Sequence, residues 1–179
     1  VALAKVITMK KQNGFTLIEM IVALVIIGFL AISTVGMAQA YIGNAKLRSV
    51  AEEFRTGLMT AKVEAIKRNS AIDFVSTATG GWSISAPAAY TDNNTAIPLQ
   101  HKDVTSTSVA LAGVDTTNNN AVTTVRFTGN GRPDKDVVYK FTSSTATCSA
   151  DVTCLNVTIT LGGQINICNP TALSTVYGC

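Results

Sequence analysis

The spacing of apolar residues changes twice along the chain and predicts three successive elements. From Met20 to Ala45 no residue is charged, and apolar side chains fall at every angle around a helix, the pattern of a segment surrounded on all sides by apolar material. From Leu47 onward they thin to a stripe: Leu47, Val50, Phe54, Leu58, Ala61 and Ala65 recur at intervals of three and four, with Arg48, Glu52, Glu53, Arg55, Lys62 and Lys67 elsewhere around the helix. That stripe fits either the core of its own domain or an intermolecular coiled coil. About three heptads are few for a zipper, which favours the core. After Asn69 the period falls towards two. Ala71–Thr77, Trp82–Ala86, Val104–Leu111, Ala121–Thr128, Val137–Thr142, Leu155–Leu161 and Gln164–Cys168 read as strands. They are separated by Gly80-Gly81, Asn93-Asn94, Asn118-Asn119-Asn120, Gly129-Asn130-Gly131 and Gly162-Gly163. Tyr90 to Asn120 otherwise reads as a long loop.

The fold class these elements predict is α+β: one long N-terminal helix, apolar first and amphipathic second, packed on an antiparallel β domain. The apolar half covers 15–43, the amphipathic half 44–69, and the β-rich remainder 70–179. Strands without alternating helices exclude a doubly wound sheet. Gly28, Gly36, Gly43 and Gly57 interrupt the helix, each costing up to about 1 kcal/mol relative to alanine.

Length and charge refine this picture. At 179 residues the chain accommodates one globular domain and an additional element. Of its 14 Lys and Arg, three (Lys5, Lys10, Lys11) precede Phe15, leaving eleven against 11 acidic residues. The body is formally neutral, which weighs against an electrostatic grip on nucleic acid. Cys148, Cys154, Cys168 and Cys179 all lie near the C-terminus and read as a disulfide framework of an oxidising compartment. A zinc site is disfavoured because no C-x-x-C occurs and the only histidine, His101, is distant in sequence. Of the three possible pairings, Cys148 with Cys154 and Cys168 with Cys179 close the most local loops.

Glu19 is the anomaly, a carboxylate at the head of a run that otherwise belongs in lipid. As a secretory signal, the segment would be cut after Ala38-Gln39-Ala40, but its apolar core is long and Glu19 misplaced. As a plain membrane anchor, the 29 residues from Phe15 to Gly43 suffice for a bilayer core of about 30 Å. That reading leaves Glu19 unexplained, at a cost on the order of 2.5 to 3.5 kcal/mol at mid-bilayer. Cleavage between Gly14 and Phe15 does explain it. A new α-amino group would appear four residues before Glu19, and opposite charges would neutralise each other in one chain or between packed neighbours.

Lys11-Gln12-Asn13-Gly14 followed by Phe15-Thr16-Leu17-Ile18-Glu19 closely resembles the type III signal of type IV pilins and type II secretion pseudopilins. The resemblance implies a leader over 1–14, removed after Gly14 by a prepilin peptidase, methylation of Phe15, and assembly guided by Glu19. It implies an inner-membrane subunit with a periplasmic head that later joins a pilus or pseudopilus with other subunits. Ala61-Lys62-Val63-Glu64-Ala65-Ile66-Lys67-Arg68-Asn69, with Gly81-Trp82, Phe127 and Gly131-Arg132-Pro133, is similar to the GspH/FimT subgroup. Its members are minor pilins or minor pseudopilins placed near the filament tip. A minor type IV pilin is the leading expectation and a minor pseudopilin the alternative. Many relatives carry a helix-bending proline near the position of Gly36, absent here.

DNA capture, a further alternative, is disfavoured. Related DNA binders carry a Gly-Arg-x-Arg stretch where this chain reads Gly162-Gly163-Gln164-Ile165-Asn166-Ile167-Cys168. Arg132 fits a solvated turn residue, and His101 an ordinary surface residue of a polar loop. Asp134 and Asp136 beside a glycine turn could suggest a metal loop, but solvated turn charges fit better. No phosphate loop, nucleophile elbow or zinc pair is present, so neither an enzyme nor a cofactor or metal site is expected.

Overall fold

The computed structural model describes residues 14–90, 95–104, 108–144, 147–149 and 152–170, with backbone alone over 32–40 and at residue 90. It contains two units, Val1–Gln39 and Ala40–Cys179. Helix α1 is Leu17–Arg68.

In the first unit the described apolar side chains stand exposed around the helix, Phe15 at 83 % and Phe29 at 74 %. Among the described residues no helix is long and apolar enough to cross a membrane. The predicted apolar half, 15–43, falls partly on 32–40, whose side chains lie outside the described residues.

The second unit is a β domain built around the amphipathic half of α1. Its strands are β1 (Ile72–Ser76), β2 (Trp82–Ala86), β3 (Ile97–Lys102), β4 (Val109–Asp115), β5 (Thr124–Phe127), β6 (Val137–Ser143), β7 (Leu155–Ile159) and β8 (Ile165–Cys168). They form two four-stranded sheets, ordered β3-β2-β1-β5 and β4-β6-β7-β8, with antiparallel neighbours throughout. Alternation produces this: Ile72, Phe74 and Ser76 of β1, and Leu155, Val157 and Ile159 of β7, point inward while their neighbours point away. The stripe predicted from sequence is buried in full, and Phe54, Leu58, Ala61 and Ala65 have no exposed surface.

Phe54 is where helix and both sheets meet. Its ring makes edge contacts with Phe74 of β1 at 5.0 Å and with Tyr139 and Phe141 of β6 at 4.8 and 5.2 Å. One turn on, Trp82 lies against Gly57 so closely that a Cβ there would come within 2.6 Å of the indole. Gly57 therefore admits the indole instead of bending the helix.

The helix ends because Asn69 turns left-handed, with φ of 47°. Asn69 N–H donates to the Ile66 carbonyl and Ser70 N–H to that of Ala65, so two otherwise orphaned carbonyls are satisfied. Asparagine tolerates this backbone better than most residues, which gives the A-I-K-R-N ending its physical reason.

The long loop predicted over 90–120 is corrected in two places. It contains β3, whose side chains are mostly exposed because the strand is a sheet edge, so alternation leaves almost no signal. It also contains β4, which begins at Val109 and continues through Gly113 to Asp115 instead of spanning Val104–Leu111. Gly113 does not end that strand. A Cβ there would lie 2.2 Å from the Val122 carbonyl oxygen and 2.6 Å from the Tyr139 ring, so glycine is what close approach requires. The helix reaches the start of the edge strand β8: Arg55 Nε donates to the Ile165 carbonyl at 3.4 Å, and Lys62 Nζ to that of Gly163, just before the strand, at 2.9 Å.

Candidate functional site

The candidate processing and assembly residues lie together where α1 begins. Gly14, Phe15 and Thr16 are outside the helix, so the Gly14–Phe15 peptide bond lies in non-helical backbone. A side chain added at Gly14 would meet no atom within 4 Å.

Thr16 is the helix N-cap. Its Oγ1 accepts the Glu19 N–H at 3.3 Å, while Glu19 Oε2 accepts the Thr16 N–H and the Thr16 hydroxyl, each at 3.2 Å. This is a reciprocal capping box, in which two backbone donors with no helical acceptor are satisfied by side-chain oxygens. The negative charge also sits at the positive end of the helix dipole. Glu19 is thus held by its own chain before any partner is involved. All the neighbours are apolar: Phe15, Leu17, Ile18 and Met20 are 83, 76, 65 and 57 % exposed. Charge-based reading of the sequence isolated Glu19 but missed Thr16, although T-L-I-E has the capping-box spacing.

The cysteines belong to the second unit. Cys148 and Cys154 are joined, with Cα atoms 5.7 Å apart. The loop between them is fastened to α1 where Thr153 N–H donates to Asn44 Oδ1 at 3.0 Å. Cys168 on β8 is also disulfide-bonded. Its expected partner, Cys179, lies outside the described residues. A shallow cleft of about 760 Å³ runs beside this region, between Tyr41, Asn44 and Arg48 of the helix and Leu155, Ile167 and Cys168 of β7 and β8.

The remaining candidates are dispersed. His101 lies on β3, not in a loop, 77 % exposed and 4.0 Å from Asp103. Arg132 is exposed on the turn after Gly131, whose φ is 75°. Asp134 accepts the Arg126 N–H at 3.0 Å and pairs with Lys135 at 3.2 Å, while Asp136 accepts the Leu161 N–H. Both carboxylates fasten turns. Among the described residues, no group of three or more His, Cys, Asp or Glu could hold a metal ion.

Two charged features escaped sequence reasoning. Asp73 and Arg126 face each other across β1 and β5 and form a two-pronged pair, Nε to Oδ1 at 2.6 Å and Nη2 to Oδ2 at 2.9 Å. Opposite charges within otherwise apolar strands were the available signal. Near the end of α1, the Arg68 hydrogen bond holds the Glu64 carboxyl below its usual range, burial opposes, and Lys67 adds to the lowering.

The sequence matches the family model described as Type II transport protein GspH over residues 50–163, and the Prokaryotic N-terminal methylation motif over 9–35. Among solved structures, the type IV minor pilin FimU of Pseudomonas aeruginosa aligns with a TM-score of 0.54 at 19 % identity, covering 75 % of this chain and 99 % of that one. A second crystal form of FimU gives 0.52 at 20 %, covering 71 and 99 %. The minor pseudopilin EpsH of the Type 2 Secretion System of Vibrio cholerae gives 0.52 at 14 %, covering 72 and 99 %. No curated protein sequence matches this chain significantly. At these identities the structural likeness establishes the shared fold.

Proposed function

We propose that this chain, which belongs to the GspH family of type II transport proteins, works as a minor type IV pilin: a low-abundance structural subunit that joins a filament through its N-terminal helix. The observation that carries this reading is the coexistence on one chain of the methylation motif over 9–35 and the GspH head over 50–163. The prepilin peptidase removes 1–14 by cutting after Gly14, and Phe15 becomes the methylated N-terminus. The helix inserts in the inner membrane with the head in the periplasm until assembly draws the subunit into the filament.

Assembly requires a driving force and a register. The exposed apolar collar from Phe15 to Leu30 supplies the first, because packing it against like helices replaces lipid with close side-chain contact. Glu19 supplies the second: in a low-dielectric bundle its carboxylate is costly unless it meets a cation, and the Phe15 amine of a neighbour is the cation that processing creates. The function is structural, and the head is packed on the helix stripe.

A second reading, a minor pseudopilin of a type II secretion system, is favoured by the description of the family model and by the EpsH fold. Deleting the gene separates the two, since a pilin loss removes surface filaments and a pseudopilin loss halts protein secretion. The assembly reading itself is tested by Glu19→Ala. Cleavage should proceed, read as the mass of the processed chain, while recovery in sheared filaments should fall at least about tenfold, the loss of a charge-assisted contact. Undiminished recovery of a cleaved Glu19→Ala chain rules out the pairing.

A further inference from the structure

The geometry points to Thr16 as the positioning residue for the Glu19 carboxylate, an inference that rests on the assembly reading above. The Thr16 hydroxyl has two functions in the capping box, and they act on opposite ends of Glu19. The hydroxyl oxygen accepts the Glu19 backbone N–H at 3.3 Å, and the hydroxyl hydrogen is given to Glu19 Oε2 at 3.2 Å, beside the Thr16 N–H at the same distance. Both side-chain contacts fall on Oε2. The carboxylate is thereby turned back along the helix, and Oε1 takes none of these bonds. A cation approaching from a neighbouring chain therefore meets a carboxylate whose direction is already set.

The surroundings make this hold strong. Phe15, Leu17, Ile18 and Met20 form an apolar collar about the box. In lipid or among packed helices no water replaces a lost partner, so an unfixed carboxylate would fold onto whichever donor it finds, its own N-terminal amine included. After cleavage that amine is one residue from Thr16. With the box intact, Oε2 remains committed to Thr16 and only Oε1 is offered, which favours the neighbour's amine over the chain's own. Thr16 acts through Glu19 and touches no partner itself. Serine retains both hydroxyl functions, whereas valine has the shape of threonine and neither function.

Sheared filaments from cells expressing the full chain test this, with incorporation measured as the filament-bound fraction of processed protein. Thr16→Val should be cleaved after Gly14, as shown by mass, yet be incorporated about tenfold less than the parent, and Thr16→Ser should restore incorporation. Combining Thr16→Val with Glu19→Gln should lower incorporation no further than Glu19→Gln alone, because the first acts through the second. If Thr16→Val is incorporated like the parent while Glu19→Gln is not, the positioning role is overturned and the pairing reading stands. If both are incorporated normally, the pairing reading fails as well. If Thr16→Val lowers incorporation equally in the Glu19→Gln background, Thr16 acts independently of the carboxylate and the inference is overturned.

Discussion

Replacing Phe54 by alanine should remove a large share of the head's stability. Phe54 has no exposed surface and touches Phe74, Tyr139 and Phe141, one residue of one sheet and two of the other. Truncating a buried phenylalanine typically costs about 3–5 kcal/mol, transfer and cavity together. Its aromatic contacts, at about 0.5–1.5 kcal/mol each, place this site at the upper end. Against a domain stability of about 5–15 kcal/mol, a third or more is lost. With a urea slope of about 2 kcal/mol/M, a loss of about 5 kcal/mol lowers the midpoint by about 2.5 M. The chain reports this itself, since its single tryptophan, Trp82, stacks on Phe74 at 5.8 Å, so tryptophan fluorescence follows the core during urea titration. Met59→Ala, on the outward side of the same helix and 37 % exposed, should stay within about 0.5 kcal/mol of the parent. A Phe54→Ala loss below about 1 kcal/mol would mean that the helix does not organise the two sheets.

Two further outcomes follow from the charged and phenolic groups. Arg126→Ala strands the Asp73 carboxylate between β1 and β5, and because Asp73 is 14 % and Arg126 43 % exposed, the expected loss is about 1–2 kcal/mol, read by the same titration; a loss under about 0.3 kcal/mol would show the pair to be ornamental. Burial raises the Tyr139 phenol well above its ordinary 10.0, so above pH 10 the unfolded chain releases a proton that the folded one keeps. Stability should then fall by about 1.4 kcal/mol per pH unit, measured by urea titration with tyrosinate absorbance, and a Tyr139→Phe chain should lack that slope.

The apolar periods made most of this fold legible. Leu47 to Ala65 declared the buried stripe, and the alternation in Ile72–Ser76 and Val137–Ser143 declared inner strands, because both patterns are imposed by a core. What stayed hidden was where no core imposes a pattern. Strand β3 is an edge with a proline and exposed neighbours, held by backbone pairing to β2 alone in its sheet. The continuation of β4 through Gly113 stayed hidden because the tight approach of Tyr139 is a long-range fact. At the N-terminal site, Glu19 was conspicuous as a lone charge, whereas Thr16 was not, since its hydroxyl matters only once the helix has formed and the two side chains lie over one turn. The Asp73–Arg126 pair escaped for the same reason: residues 53 apart in sequence become partners only through the register of β1 and β5.

The most direct measurement is the N-terminal mass and sequence of the protein recovered from assembled filaments. N-methylated Phe15, with nothing of 1–14 remaining, is the result this account expects. Filaments built from chains that still carry the leader, or that begin at Tyr41, would contradict it, because neither places a cation beside Glu19.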